Sequence, residues 1–525
     1  QLYVLFQQYF YREGVAEDMA ANSRKSREGF TARELFRRGI GITYADFSIM
    51  NLAYSDILRE EISLQTDLGK GVVLQTPIIA SPMDTVTNAE VAIAIARHGG
   101  CAVIHYNHKT SSGNFDIDAQ LAEIEKVKRS QSGFIEEPLT ASPTMTISEI
   151  LSKAERYRIG KSVPDAFPVT ADGTSDGVLI GFLRKQDYSK TRNLDALVQN
   201  RMLARQKVVT ATWPLTLTDA NDILWERRIL WLPIVDGSDR LKYLVTRTDV
   251  DKNAEFPLAA KDEKGRLRVL FAVETRMERA GDRLEGGFAL GADGAVIDTS
   301  QGFTKYEKDM LLHIAKTYPD RLLMGGNVST VAAAMWLANL NADTYRNGQG
   351  PGSICTTAGT IGISRAAAAG VYHAASALRG TRLTTVADGG IREVGDITKT
   401  ITIGAHAVML GRMLAGTAEG PGEVTMDAKG QLVKVYRGMG SKEANIGGIR
   451  GYTKLPQGIT GKVEYKGSLY EWIPLVRDGL ITAFQALNCP SIAELHRRMY
   501  RGQIRFEQRT LGSMREAGVH DVITD

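Results

Sequence analysis

The chain has 525 residues, 43% hydrophobic and 24% charged, with a formal net charge of +4. That balance belongs to an ordinary globular protein, and it gives no basis for a nucleic-acid or membrane partner. Three scattered cysteines, Cys101, Cys355 and Cys489, exclude a disulfide framework and a Cys-rich zinc site, and point to a reducing, cytoplasmic setting.

Residues 1–29 begin apolar but lack the basic start of a signal peptide, and they read as an extension. No apolar run beyond them is long enough to cross a bilayer. From residue 30, short apolar runs ending in Gly, Ser, Asp or Asn alternate with helical patterns. The runs 72–86, 101–108, 294–302, 321–330, 384–390 and 406–412 read as buried strands. Segments such as 304–318 carry helical spacing between them. Strand–helix alternation predicts a parallel sheet covered on both faces. Polar residues gather just after the strands, as on the active rim of a (β/α)₈ TIM barrel. The rival is a doubly wound open sheet, but no GxGxxG follows the first strand.

The alternation breaks at 136–251. Two weakly similar units there each run Thr-rich turn, helix, strand, Asp-Gly turn, strand, and close on Asp187 or Asp249. The predicted organisation is therefore a barrel first part at 30–135, an inserted α+β module at 136–251, and a barrel second part at 252–525.

Three Gly-rich loops follow late strands: GPGSICTT (350–357), ADGGIR (387–392) and MLGR (409–412). One such loop alone is a tight turn. Three at successive strand ends suit a ribose-phosphate, because barrel phosphate sites are built from late βα-loops. Asp388 supplies an acceptor for ribose hydroxyls, although an Asp before Gly is more often a turn residue. Cys355 directly follows the first loop, where a thiolate is placed to attack a purine ring held by its phosphate. A lone cysteine is more often buried and inert, which suits Cys101 and Cys489 better than this polar loop.

These motifs, with LAGTAEGPGE (414–423), VYRGMGS (435–441), SPMDTVT (81–87), VIDTSQG (296–302) and GGNVST (325–330), resemble the inosine-5′-monophosphate (IMP) dehydrogenase and guanosine-5′-monophosphate (GMP) reductase family. The resemblance runs from about Phe30 to the C-terminus. The inserted module resembles a tandem cystathionine-β-synthase-type (CBS) pair.

The resemblance implies Cys355 as nucleophile at purine C2 and Thr357 in proton transfer. It implies Ser353, Gly389, Gly390, Gly411 and Tyr436 at the phosphate and Asp388 at the ribose. Ser81 and Met83 would line the nucleotide pocket, with Gly438, Met439, Gly440 and Gln457 at the base. Asp298, Ser300 and Asn327 match the nicotinamide side, for NAD or NADPH/NADP. Gly348, Gly350 and Cys355 match carbonyl donors of a potassium site completed by Glu516 and Gly518, with Ala517 where the family usually has glycine. CBS pairs bind purine nucleotides, here through Asp187, Thr246 and Asp249. The expected assembly is a homotetramer, with an octamer through the CBS pairs left open.

The two activities share a cysteine adduct and differ in what it meets next. The dehydrogenase hydrolyses it with an adjacent Arg-Tyr pair on a mobile flap, whereas the reductase releases ammonia from GMP. Here the segment KEANIGGIRGYTKLP (442–456) is shorter than that flap, and Gly451 separates Arg450 from Tyr452. Ala358 stands where dehydrogenases usually have arginine. The CBS pair, TSQG and Gln457, where reductases carry Glu, favour the dehydrogenase. The reading places the reductase ahead, with Thr357 and Gln457 handling protons. The alternative is the dehydrogenase, with Arg450 or Tyr452 activating water.

Overall fold

The computed structural model describes residues 28–517, except 38, 112, 131–132, 159–162, 249, 251–254 and 446–454. Eight parallel strands close a barrel in chain order: β1 (Ile78–Ala80), β2 (Cys101–Ile104), β3 (Leu270–Val273), β4 (Gly294–Ile297), β5 (Leu322–Val328), β6 (Thr344–Asn347), β7 (Thr384–Asp388) and β8 (Ala407–Leu410). Side chains alternate across each strand, which explains the uniformly apolar runs. Leu270 and Ala272 of β3 fill the interior with Val296, Met324 and Met409. Phe271 and Val273, between them, pack outward into the helical layer.

That layer comprises α1 (Ala89–Arg97), α2 (Ile117–Arg129), α3 (Met277–Ala289), α4 (Lys305–Thr317), α5 (Val331–Ala338), α6 (Ala367–Ala377), α7 (Val394–Thr402) and α8 (Leu469–Ala486). The α1 N-terminus is fixed by Asn88, whose side chain accepts from Val91 N at 3.0 Å. Helix α8 returns to pack against α1 and α7, closing the ring.

The structure departs from the sequence reading at three strands. The run 72–86 splits: Val73–Leu74 forms a hairpin with Thr66–Asp67, and the barrel strand starts only after Pro77. Strand β3 is a brief apolar stretch directly behind charged residues. Strand β6 reads Thr-Tyr-Arg-Asn, with no apolar run to betray it, yet all four residues are buried. Most of its polar groups find internal partners: the Tyr345 hydroxyl lies 3.3 Å from Thr385 Oγ1 and 3.5 Å from Asn347 Nδ2.

Between α2 and β3 lie two further sheets. One pairs Phe167–Thr170, Leu179–Leu183 and Leu203–Ala204, and the other Ala211–Thr212, Trp231–Val235, Leu241–Thr246 and Phe134–Ile135. The second therefore draws in the two residues just before 136. The internal repeat has a physical basis: Thr146 and Thr216 each cap a helix (Ile147–Glu155 and Leu217–Glu226) through a capping box with Glu149 and Asp219. Asp172 and Asp236 each close their Asp-Gly turn by accepting a backbone N–H two residues on. Leu179, Phe182, Leu241 and Leu244 join the two units in one core cluster.

Candidate active site

The C-terminal ends of the strands open into a cavity of about 690 Å³. Nineteen sequence-predicted site residues line it: Ser81, Met83, Asp298, Ser300, Asn327, Gly348, Gly350, Ser353, Cys355, Thr357, Asp388, Gly389, Gly390, Gly411, Tyr436, Gly438, Met439, Gly440 and Gln457. They come from six barrel strand ends, from 436–440 at the end of the strand Leu432–Arg437, and from the segment at Gln457.

The Cys355 loop is held from two sides. Its turn closes through Cys355 N donating to Gly352 O at 3.0 Å. Thr356 N then donates to Gln457 O and Ile459 N to Ile354 O, both at 3.1 Å, while Gln457 N donates to Gly440 O at 3.0 Å. The nucleophile loop, the 438–441 turn and the 457–459 segment are thus knitted into one unit. Within it, Cys355 Sγ lies 3.1 Å from Thr357 Oγ1, whose hydroxyl donates to Gln457 Oε1 at 3.2 Å. With Thr357 donating onward, the thiol is left to donate to Thr357. The chain therefore carries the thiol proton from sulfur towards the threonine.

The phosphate end depends on glycine at two places. Gly389 and Gly390 have φ of +88° and +80°, a left-handed pair that side chains rarely adopt. A Cβ on Gly411 would stand 3.0 Å from Tyr436 Oη and 3.1 Å from Met83 Sδ. Burial pushes the Tyr436 phenol up to about 12, against the pull of a Ser353 hydrogen bond, so it stays a neutral donor.

Sequence reasoning missed the group that organises the centre. Arg346 of β6 donates to Asp298 Oδ1 and to Asp388 Oδ2, each at 2.8 Å. Burial works to weaken its hold on the proton, but the charges of Asp388 and Asp298 outweigh that and push its pKa above the ordinary arginine value. Asn327 Nδ2 donates to Asp388 Oδ2 and to Gly348 O, both at 2.9 Å. The predicted ribose carboxylate and the predicted nicotinamide-side carboxylate are therefore two ends of one buried network.

Glu307 was missed as well. It accepts from Gly326 N at 2.6 Å and from Thr299 Oγ1 at 3.2 Å, behind the cavity wall. Burial pushes its carboxyl up to about 8. The available signal was an acid on the buried stripe Glu307, Met310, Leu311, Ile314 of α4. Arg279 and Glu274 also line the cavity. Both Glu274 oxygens lack a hydrogen-bond partner, although Arg283 Nε lies 3.3 Å away.

Other predicted residues lie elsewhere. Glu516 ends the helix Leu511–Glu516 and does not line the cavity. Gly348 O, a proposed cation donor, already accepts from Asn327, so a cation would share that oxygen. Thr246 ends a strand of the inserted segment. Asp187 is not a free acceptor: its two carboxylate oxygens take Nε, Nη2 and the backbone N–H of Arg184 at 2.8–2.9 Å. Arg450, Tyr452, Asp249 and Gly518 lie outside the described residues.

Residues 41–520 match the family model described as IMP dehydrogenase / GMP reductase domain. The chain is 37% identical over 494 residues to inosine-5′-monophosphate dehydrogenase of Aquifex aeolicus, covering 92% of this chain and 96% of that one. It is 34% identical over 516 residues to the Schizosaccharomyces pombe enzyme of the same name, covering 95% and 96%. A cysteine-to-alanine variant of GMP reductase from Trypanosoma brucei, solved with guanosine 5′-monophosphate, superimposes with a TM-score of 0.82 at 31% identity, over 94% of this chain and all of that one. With its closed parallel barrel and its cysteine loop at the rim, the chain belongs to the IMP dehydrogenase / GMP reductase family of oxidoreductases.

Proposed function

We propose that the protein is a GMP reductase: GMP + NADPH + 2H⁺ → IMP + NH₄⁺ + NADP⁺. The observation that carries this reading is the length of the bridge over the site. Ser441 and Gln457 are fixed to the nucleophile unit, and only Lys442–Pro456 joins them. The first four of those residues are spent in a turn, where Ala444 N meets Ser441 Oγ and Asn445 Nδ2 meets Met439 O and Ser441 O. Eleven residues remain, 446–456, with Gly451 between Arg450 and Tyr452. That leaves little chain for a flap presenting an adjacent water-activating pair.

Cys355 Sγ bonds to purine C2 as its proton passes to Thr357 and the C2=N3 π pair moves onto N3, a pair that re-forms the double bond when each leaving group departs. The C2–N bond then breaks, its electron pair leaving with the amine as ammonia, protonated through Thr357. Reduced nicotinamide, when bound, supplies the hydride that enters at C2. The C2–S bond then breaks, returning its electron pair to Cys355 and releasing IMP. Gln457 fixes the Thr357 hydroxyl, and the Arg346 network holds the Asp388 carboxylate in position towards the ribose. Asn327 Oδ1 is a buried acceptor without a donor, and it suits a hydroxyl or the carboxamide of a dinucleotide.

The inserted segment is read as a regulatory CBS pair. The Arg184–Asp187 pairing leaves its second unit, with Thr246 and Asp249, the better purine-nucleotide site.

The dehydrogenase, IMP + NAD⁺ + H₂O → XMP + NADH, is favoured by Gln457, a neutral amide where a reductase is expected to carry an acid. Purified protein given GMP and NADPH should oxidise NADPH and release ammonia. NADH formed from IMP and NAD⁺, with no reaction in the first mixture, establishes the dehydrogenase instead.

A further inference from the structure

Two arginines at the phosphate end are accounted for neither by the motifs nor by the fold. Arg392 follows Gly389-Gly390-Ile391 after β7, and Arg412 follows Gly411 after β8. Both are exposed and both line the cavity. Among the described residues, no hydrogen bond or ion pair engages either guanidinium. Only their backbones are used, Arg392 N donating to Asp396 Oδ2 at 3.0 Å and Arg412 O accepting from Lys466 Nζ at 2.6 Å.

The surroundings add positive charge. Lys466 Nζ also donates to Met413 O at 3.1 Å. Burial, reinforced by the Arg412 charge, pushes the Lys466 amine down to about 8. Arg412 also acts on Tyr436, favouring the phenolate against burial. Asp388, a carboxylate of the same cavity lining, is already committed to Arg346 and Asn327. Cationic groups are thus collected beside a cradle of backbone N–H groups; Glu464 acts on Lys466, but among the described residues no carboxylate pairs with either guanidinium. Guanidinium forks match phosphate oxygens bidentately, and an unpaired fork lining a cavity is ready to take an anion without first breaking an internal pair.

We propose that Arg392 and Arg412 form an ionic clamp on the 5′-phosphate of the purine nucleotide, added to the glycine cradle and Tyr436. The clamp makes the phosphate the main source of affinity for nucleotide over nucleoside. It also gives inorganic phosphate and pyrophosphate a foothold in the same place. This rests on the purine-nucleotide reading above.

The test is calorimetric titration of full-length Cys355→Ala protein, which binds without turnover, with GMP, guanosine, inorganic phosphate and pyrophosphate. The same titrations are run after adding Arg392→Ala, Arg412→Ala or both. Each arginine removed should weaken GMP roughly tenfold, the scale of one charge-assisted contact. It should also weaken phosphate and pyrophosphate, flatten the salt dependence of GMP binding, and leave guanosine unchanged. Arg412→Lys should restore part of the loss, and unfolding temperatures should stay with the parent because both side chains are exposed. GMP bound equally tightly, with the same salt dependence, in parent and double variant overturns the clamp while the nucleotide reading stands. Arginine-dependent binding of inorganic phosphate without any binding of GMP keeps the clamp and overturns the nucleotide reading.

Discussion

Replacing Arg346 by leucine is the most informative perturbation of the fold–site connection. The arginine side chain is 6% exposed, and its partners Asp298 and Asp388 are 15% and 18% exposed. Solvent therefore screens these charges weakly. Taking one member from a buried ion pair costs about 3–5 kcal/mol, because an uncompensated charge stays behind. Asp388 would keep its Asn327 donor at 2.9 Å, so Asp298 is left the barer carboxylate. The expected loss accordingly falls near the lower end, about 3 kcal/mol. In calorimetric unfolding of the full chain this lowers the barrel transition by roughly 4 °C. Arg346→Lys reaches only one carboxylate at a time and should fall between. The triple variant Asp298→Asn, Arg346→Leu, Asp388→Asn removes the stranded charges and should recover most of the stability while remaining inactive. A single Arg346→Leu within about 1 kcal/mol of the parent, or a triple no more stable than the single, would refute the buried network as described.

Gly411→Ala places a methyl group against Tyr436 Oη and Met83 Sδ. Steady-state kinetics should show KM for the nucleotide raised roughly tenfold with kcat little changed, the pattern of lost uniform binding. Thr357→Val breaks the Sγ–Oγ1–Oε1 chain. It should lower kcat by roughly a hundredfold while nucleotide affinity, measured by titration, persists. Glu307 holds its proton up to about pH 8 in the fold but only to the ordinary carboxylate range when unfolded. Its contribution is present in full at low pH and is lost as pH rises to 8. Glu307→Gln should therefore flatten the fall in stability between about pH 5 and 8 by about 1 kcal/mol per pH unit, read from denaturant unfolding at stepped pH.

What could be read from the chain followed its chemistry. Strands such as Ala407–Leu410 declare themselves because both faces meet apolar layers, and GPGSICTT declares itself because glycine and a thiol together are rare in a loop. Strand β6 was hidden for the opposite reason. The polar side chains of Thr344, Tyr345 and Arg346 find their partners on other strands, and that closure is visible only when Asp298, Thr384, Thr385 and Asp388 arrive. The Arg346 bridge lay beyond motif reading because its partners stand 48 and 42 residues away. Asp187 is paired within its own turn for a local reason that its sequence did contain. An arginine three residues earlier at a capping position can take both carboxylate oxygens. The capping boxes at Thr146 and Thr216 show the same short-range logic succeeding.

The most direct test of the central claim follows the amine. GMP carrying ¹⁵N on its exocyclic amine, incubated with NADPH and the full-length protein, should yield ¹⁵N-ammonia in step with NADPH oxidation, one for one. Cys355→Ala protein should yield none. Absence of labelled ammonia from the parent protein, with XMP accumulating from IMP and NAD⁺, would contradict the account.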